Sequence, residues 1–269
     1  MYMAMRRLDL VSPGTSKAGF SLIELLTVIS VISLLMGIML PVLAKARSAG
    51  RRIVCLSNMR QLVLAADSYA NNFDGFYPIA YNGDPNPADS TAIESQWDFT
   101  RIKDLNTGET RIEAGTLWQG ETIIKIQQCP AFKDTSNSTD PYTGYNYNTS
   151  YIGHGIMEWI KIPARRIDVR KPSQCALFGD GEQISGPNKF MRSPFPDSYD
   201  FFTFRAAGAQ GFRHDGKTNV AWCDGHASSQ RQVYTESTSS QSTLLESYNE
   251  TANIKIGFLS PDNSAYDLQ

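Results

Sequence analysis

Between residues 20 and 42 the chain is apolar at almost every position, and Glu24 is the one charge in that run. An apolar stretch of about 20 residues is long enough for a helix to cross a bilayer. Beyond it the apolar positions thin out but keep a rhythm. Ala49, Ile53, Leu56, Met59, Val63, Ala66, Ala70 and Phe73 recur at steps of three and four, with Arg51, Arg52, Asn58, Arg60, Gln61 and Asp67 between them. That is the period of an amphipathic helix. Asn71-Asn72, Asp74-Gly75 and Pro78 then supply a stop. The pattern predicts one long helix from about Ser21 to about Asn72, bent at Pro41, where the ring removes an N–H and clashes with the preceding turn. Its second half needs a surface to lie on, and short β-prone runs follow: TLWQG from Thr116, TIIKIQQC from Thr122, QCALFGD from Gln174, NVAWCDG from Asn219 and ANIKIGFL from Ala252. Turn-rich segments at 82–90, 134–150 and 186–200 read as long connections. Residues 227–243 read as a polar, low-complexity, mobile stretch. The expected fold class is α+β: a long N-terminal helix, membrane-spanning in its first half and amphipathic in its second, packed on an antiparallel sheet head with long loops.

Charge changes the picture at the N-terminus. The 269-residue chain carries a net charge of −2 and a sequence pI of about 5.9, so no bulk basic surface for nucleic acid is indicated. Arg6, Arg7 and Lys17 precede the apolar run against Asp9 alone, and Lys45, Arg47, Arg51, Arg52 and Arg60 follow it. A positive stretch, an apolar segment and a polar chain form a membrane-targeting N-terminus. Three readings compete. A secretory signal peptide would be cut after Ala44-Lys45-Ala46, but the apolar run is longer than a usual signal core and contains Glu24. A plain single-pass anchor leaves that carboxylate without a partner, at a cost of roughly 2.5–3.5 kcal/mol. A cut between Gly19 and Phe20 supplies one, because it creates an α-amino group four residues from Glu24.

The segment KAGFSLIELLTVISVISLLMGIMLP, residues 17–41, closely resembles the N-terminus of type IV prepilins and type II secretion pseudopilins. The resemblance implies a basic leader over residues 1–19 that ends in Gly19. A prepilin peptidase would remove it and N-methylate Phe20. Glu24 would take the assembly role by pairing with the amine of a neighbouring subunit, and Pro41 would be the helix kink. The 19-residue leader is longer than the shortest in that family, and Met3 or Met5 offers an alternative start. The domain plan that follows is a leader at 1–19, a transmembrane and filament-core helix at 20–42, its amphipathic continuation at 43–73 and a globular β-rich head at 74–269. The implied partners are the prepilin peptidase, other pilin or pseudopilin subunits in a homo- or hetero-filament, the inner-membrane assembly machinery and the lipid bilayer. The implied location is a single pass through the inner membrane, with a periplasmic or extracellular head. GFRHDGKTNVAWCDGHA, residues 211–227, is similar to the H-X9-DG segment of large pilin-like proteins with the same N-terminus, on His214, Asp224 and Gly225. The pieces RRIVCLSNMRQL, QQCP, GYNYN and ALFGDG also resemble that group. No chemistry comes with that segment.

Four cysteines, Cys55, Cys129, Cys175 and Cys223, include no CxxC pair, which argues against zinc-ribbon and thioredoxin readings. In an exported domain, disulfides are plausible. The expected pair is Cys55 with Cys129, stapling helix to head, with Cys175 and Cys223 then partners or buried thiols; four free buried cysteines are the alternative. Asp180, Asp224 and His226 are weak metal candidates. Asp-Gly at 215–216 and 224–225 should make two turns with a strand of seven residues between them, spanning roughly 23 Å and holding His214 and Asp224 apart. Asp180 could instead approach Asp224 and His226 from a neighbouring strand. No cofactor is expected, although the resemblance leaves room for calcium in oxygen-rich loops around Asn82, Asp84, Asn86 and Asp89 and at 134–140; none has EF-hand spacing. No Ser-His-Asp order, HExxH, P-loop or GxGxxG supports an enzyme. The sequence therefore predicts a structural filament subunit. The alternatives are an anchored or exported protein whose head binds a polymer such as glycan, and a metal-dependent hydrolase built on Asp180, His214, Asp224 and His226.

Overall fold

A computed structural model describes residues 19–86, 90–119, 126–132, 141–142, 144–156, 158–186, 188–197, 200 and 202–269. Helix α1, Leu22–Asn72, is 51 residues long and contains Pro41 without ending there. It stops where Asp74 and Gly75 take positive φ angles of 49° and 82°, and the Gly75 N–H closes back on the Ala70 carbonyl at 2.8 Å. This is the Gly-terminated helix end that the sequence announces. The chain divides into two compact units, with Arg47–Gln269 as the larger.

After α1 the larger unit continues with a four-stranded antiparallel meander: β1 Tyr81–Asn86, β2 Thr91–Gln96, β3 Phe99–Asp104 and β4 Thr110–Ala114. Further along come β5 Asn146–Asn148, β6 Ala176–Gly179, β7 Phe190–Met191, β8 Gln210–Gly211, β9 Thr218–Trp222, β10 Ala227–Gln230, helix α2 Ser239–Thr251 and β11 Ile256–Gly257. Five of these strands form the central sheet in the order β10-β9-β6-β5-β7. Every neighbour in it is antiparallel except β5 and β7, which run parallel. β8 pairs with β11 in a separate two-stranded ribbon.

The central sheet is covered on both faces. Cys55, Met59, Leu62, Val63 and Ala66 of α1 pack with Tyr77, Trp97, Tyr145, Tyr147, Leu177, Phe178 and Ala221. On the other face Leu245 of α2 packs with Ala176, Val220, Trp222, Ile256, Phe258 and Tyr266. Alternation along β9 explains the split, since Val220 and Trp222 go one way and Ala221 the other. In β6 the register slips between Ala176 and Phe178, and this bulge puts the consecutive Leu177 and Phe178 on the α1 side. The loops are held by buried charge. Arg205, fully buried, donates to Asp200, to the Ser193 and Phe202 carbonyls and to the Ser150 and Ser193 hydroxyls. Lys189–Asp98 and Arg192–Glu158 are buried pairs of the same kind.

Several expectations change. The α1 face turned to the head is centred on Cys55, Met59, Leu62 and Ala66, whereas Ile53 is 63% exposed. Residues 82–86 belong to β1 rather than to a loop, while Asp89 and residues 134–140 lie outside the described residues. Thr116–Trp118 is a 3-10 turn rather than a strand, and residues 120–125 of the next run are outside the description. The polar stretch 227–243 contains β10 and the start of α2.

Candidate functional sites: an N-terminal motif and a buried Cys–Asp–His cluster

Gly19 and Phe20 stand just before α1, outside any helix or strand. Among the described residues nothing lies within 4 Å of where a Gly19 side chain would stand, and Phe20 is 80% exposed. Ser21 and Glu24 form a reciprocal cap on the helix start: the Ile23 N–H donates to Ser21 Oγ at 3.4 Å, and the Ser21 N–H donates to Glu24 Oε2 at 2.9 Å. In this S-x-x-E pattern a carboxylate satisfies an otherwise unpaired backbone donor at the positive end of the helix. The sequence held that signal in Ser21-Leu22-Ile23-Glu24, and it gives Glu24 a partner within its own chain. Over residues 20–43 the large apolar side chains are all exposed, and the helix is long and apolar enough to cross a membrane. A surface of that kind marks a membrane or protein contact rather than a face turned to water.

The second constellation lies inside the head. Cys55 comes from α1, Cys129 from the segment 126–132, Asp180 from the end of β6 and His214 from the turn before β9. Their ligand-capable atoms all lie within 4.8 Å of one another, and all four residues are buried. Cys55 Sγ is 3.8 Å from Cys129 Sγ and 3.2 Å from Asp180 Oδ1. His214 Nε2 is 3.6 Å from Cys129 Sγ and 3.2 Å from Asp180 Oδ2. Arg213 braces the group, with Nε 3.4 Å from Cys129 Sγ and a terminal nitrogen 3.2 Å from Asp180 Oδ1. The Asn219 N–H donates to Asp180 Oδ2 at 2.7 Å.

These neighbours set the charge states. Burial raises the Asp180 carboxyl, but Arg213 and His214 outweigh it and hold it below the usual carboxylate range. Burial pushes the Cys129 thiol up as well; the hydrogen bond from Cys55, Arg213 and His214 win, and it falls to about 5. Burial pulls His214 down, whereas its bonds to Asp180 and Cys129 lift it to about 9. Cys55 is raised by burial and by its hydrogen bond to Cys129. Both shifts favour a thiolate on Cys129 and a proton on His214. The arrangement is not a nucleophile–base–acid triad. In a triad the acid holds one ring nitrogen and the nucleophile uses the other. Here the thiolate and the carboxylate both face Nε2, and Nδ1 has no hydrogen-bond partner among the described residues.

The other expected residues fall elsewhere. Asp215 and Gly216 take φ angles of 55° and 71°, with reciprocal bonds between the backbones of His214 and Lys217, so a tight turn forms where Asp-Gly stands. At the other end of β9, Gly225 has φ 92°, and the Asp224 carboxylate lies 2.6 Å from His226 Nδ1, with the His226 ring stacked on Trp222. Asp180 does not join that pair. Gly179 is opposite Val220 and Ala176 opposite Trp222, so the antiparallel register delivers Asp180 to the His214 end of β9 and away from Asp224. A hydrolytic site combining Asp180, His214, Asp224 and His226 is thereby split in two. All four cysteines are free thiols. The expected Cys55–Cys129 disulfide is absent, since 3.8 Å far exceeds the bond length of about 2.05 Å. Cys175 and Cys223 are neighbours, the Cys223 N–H donating to the Cys175 carbonyl at 3.0 Å. Sequence reasoning missed Arg213, which stands beside His214 in the quoted motif.

Residues 14–40 match the family described as the prokaryotic N-terminal methylation motif. No curated protein and no solved structure matches the chain. The chain carries a prepilin-type N-terminal methylation motif on a long apolar helix ahead of an α+β head, and in that respect it is type IV pilin-like.

Proposed function

We propose that the chain is a pilin-like structural subunit. Prepilin peptidase removes residues 1–19 and N-methylates Phe20. The precursor crosses the inner membrane once, with its basic leader on the cytoplasmic side, as positive flanks require. Subunits then leave the bilayer and pack their apolar helices into a type IV pilus or a type II secretion pseudopilus-like filament with the heads outward. Glu24 pairs there with the Phe20 amine of a neighbour and sets the register, because an unmatched carboxylate among apolar side chains penalises misalignment. The observation that carries this reading is the motif over 14–40 on a helix whose apolar side chains are exposed all round. Mass spectrometry of the mature N-terminus tests it. The expected chain begins at N-methylated Phe20 and sediments as filaments. An intact leader, or a chain beginning at Arg47, overturns it.

One surface feature favours a second role for the head. Trp159, 79% exposed with φ 61°, sits with Tyr151, His154, Ile162 and Asp197 around an open apolar concavity. An aromatic face beside polar groups is suited to a polymer such as glycan. Retention on a polysaccharide column that Trp159→Ala abolishes would support it, and equal retention of the two proteins would end it.

A further inference from the structure

We propose that Cys55, Cys129, Asp180 and His214 are the four ligands of a structural zinc ion that ties α1 to the central sheet. Two sulfurs, an imidazole nitrogen and a carboxylate oxygen, drawn from four separate segments, lie within 4.8 Å of one another, and all four residues are buried. Zinc takes this mixture of borderline-soft donors in tetrahedral sites, and four protein ligands leave no open position for catalysis.

Zinc bonds of about 2.3 Å to sulfur, 2.05 Å to nitrogen and 2.0 Å to oxygen, set at tetrahedral angles, place the donors about 3.8 Å (S···S), 3.6 Å (S···N), 3.5 Å (S···O) and 3.3 Å (N···O) apart. The corresponding separations are 3.8 Å for Cys55–Cys129, 3.6 Å for Cys129–His214, 3.2 Å for Cys55 to Asp180 Oδ1 and 3.2 Å for His214 to Asp180 Oδ2. With either carboxylate oxygen as the ligand, three edges of the tetrahedron are thus reproduced within about 0.3 Å. A disulfide needs one of these edges shortened to about 2.05 Å, which leaves the imidazole and the carboxylate unexplained.

Cys129 Sγ and the Asp180 carboxylate both face the same ring nitrogen of His214, the arrangement that excludes a catalytic triad and that a shared metal produces. Charge balance completes it. Zinc with two thiolates, a carboxylate and a neutral imidazole carries one net negative charge, and the Arg213 guanidinium lies against both Cys129 Sγ and Asp180 Oδ1 to offset it. The Asn219 N–H fixes the carboxylate from outside the ligand set. The ligands span residues 55 to 214, so the ion would close the helix onto the sheet across most of the head. This inference stands whether or not the chain forms filaments.

The test uses the full chain, purified in detergent under reducing conditions, with elemental analysis for bound metal. About one zinc per chain is expected, lost on Cys55→Ser or His214→Gln and kept by the Cys175→Ser/Cys223→Ser double variant. Cobalt reconstitution of the unmodified protein keeps the test independent of variant folding. Tetrahedral ligand-field bands with a thiolate charge-transfer band support the site. Chelation should lower the thermal midpoint by several degrees, and zinc should restore it. Metal far below one equivalent after reconstitution overturns the proposal. So does a native protein two mass units light in which peptide mapping finds Cys55 bonded to Cys129.

Discussion

Single buried side chains decide how the loop-rich head keeps its shape. Arg205 has no exposed surface, and each of its partners, Asp200, Ser150, Ser193 and the Phe202 carbonyl, belongs to a connection rather than to a strand of the central sheet. A guanidinium suits this task because its planar fork satisfies several acceptors at once. Removing it leaves the Asp200 carboxylate buried without its cation. Arg205→Ala is therefore expected to destabilise the head by about 3–5 kcal/mol, read from urea unfolding of the full chain in detergent. Arg205→Lys should recover only part of that loss, since an ammonium restores the charge but not the fork. Full recovery by lysine would mean that charge alone matters. Little in the sequence warns of Arg205. A lone arginine in FFTFRAAGAQ reads as a surface residue until the fold closes around it, whereas Asp215-Gly216 and Asp224-Gly225 declared their turns because the required backbone is local.

Helix α1 illustrates at the scale of an element what periodicity can and cannot convey. Its extent, nearly to the residue, follows from the apolar run, the three- and four-residue steps and the Asp74-Gly75 stop. Which side meets the head does not follow, because apolar residues lie on more than one side. Leu62 is fully buried, whereas Leu64 is 67% exposed. Leu62→Ala is expected to cost about 2–5 kcal/mol through the cavity it opens, and Leu64→Ala less than about 0.5 kcal/mol, measured by the same unfolding assay. Equal costs would mean that the helix docks by another face. The β1–β4 meander was illegible for a different reason. The strand Tyr81–Asn86 reads YNGDPN, turn formers at every position after Tyr81, and holds its place by pairing with Thr91–Gln96. Helix α2 was hidden likewise, because Ser239, Ser240 and Ser242 dominate its first turn and tertiary contacts through Leu245 outweigh their weak propensity. The cysteine–histidine cluster depended on the register of β6 against β9, a long-range fact that no local pattern encodes.

At the scale of the whole molecule the question is what surrounds the apolar half of α1 and what Glu24 does there. Two roles compete for one carboxylate. As a cap it accepts from the Ser21 N–H and fixes the helix start, a local effect worth about 1 kcal/mol. As a charge it would meet the amine of an adjacent subunit in the proposed filament, where the apolar setting makes an unmatched ion far more costly. Glutamine separates the two, because it retains an acceptor for the cap and loses the charge. Glu24→Ala removes both. If register depends on charge, Glu24→Gln and Glu24→Ala should both insert in the membrane at wild-type levels and both be depleted from sheared filaments by tenfold or more. If the cap is what matters, glutamine should restore incorporation and alanine should not. Normal incorporation of both variants would remove Glu24 from assembly altogether. The comparison must be made in cells that still process the leader, since cleavage supplies the amine on which the charge argument depends.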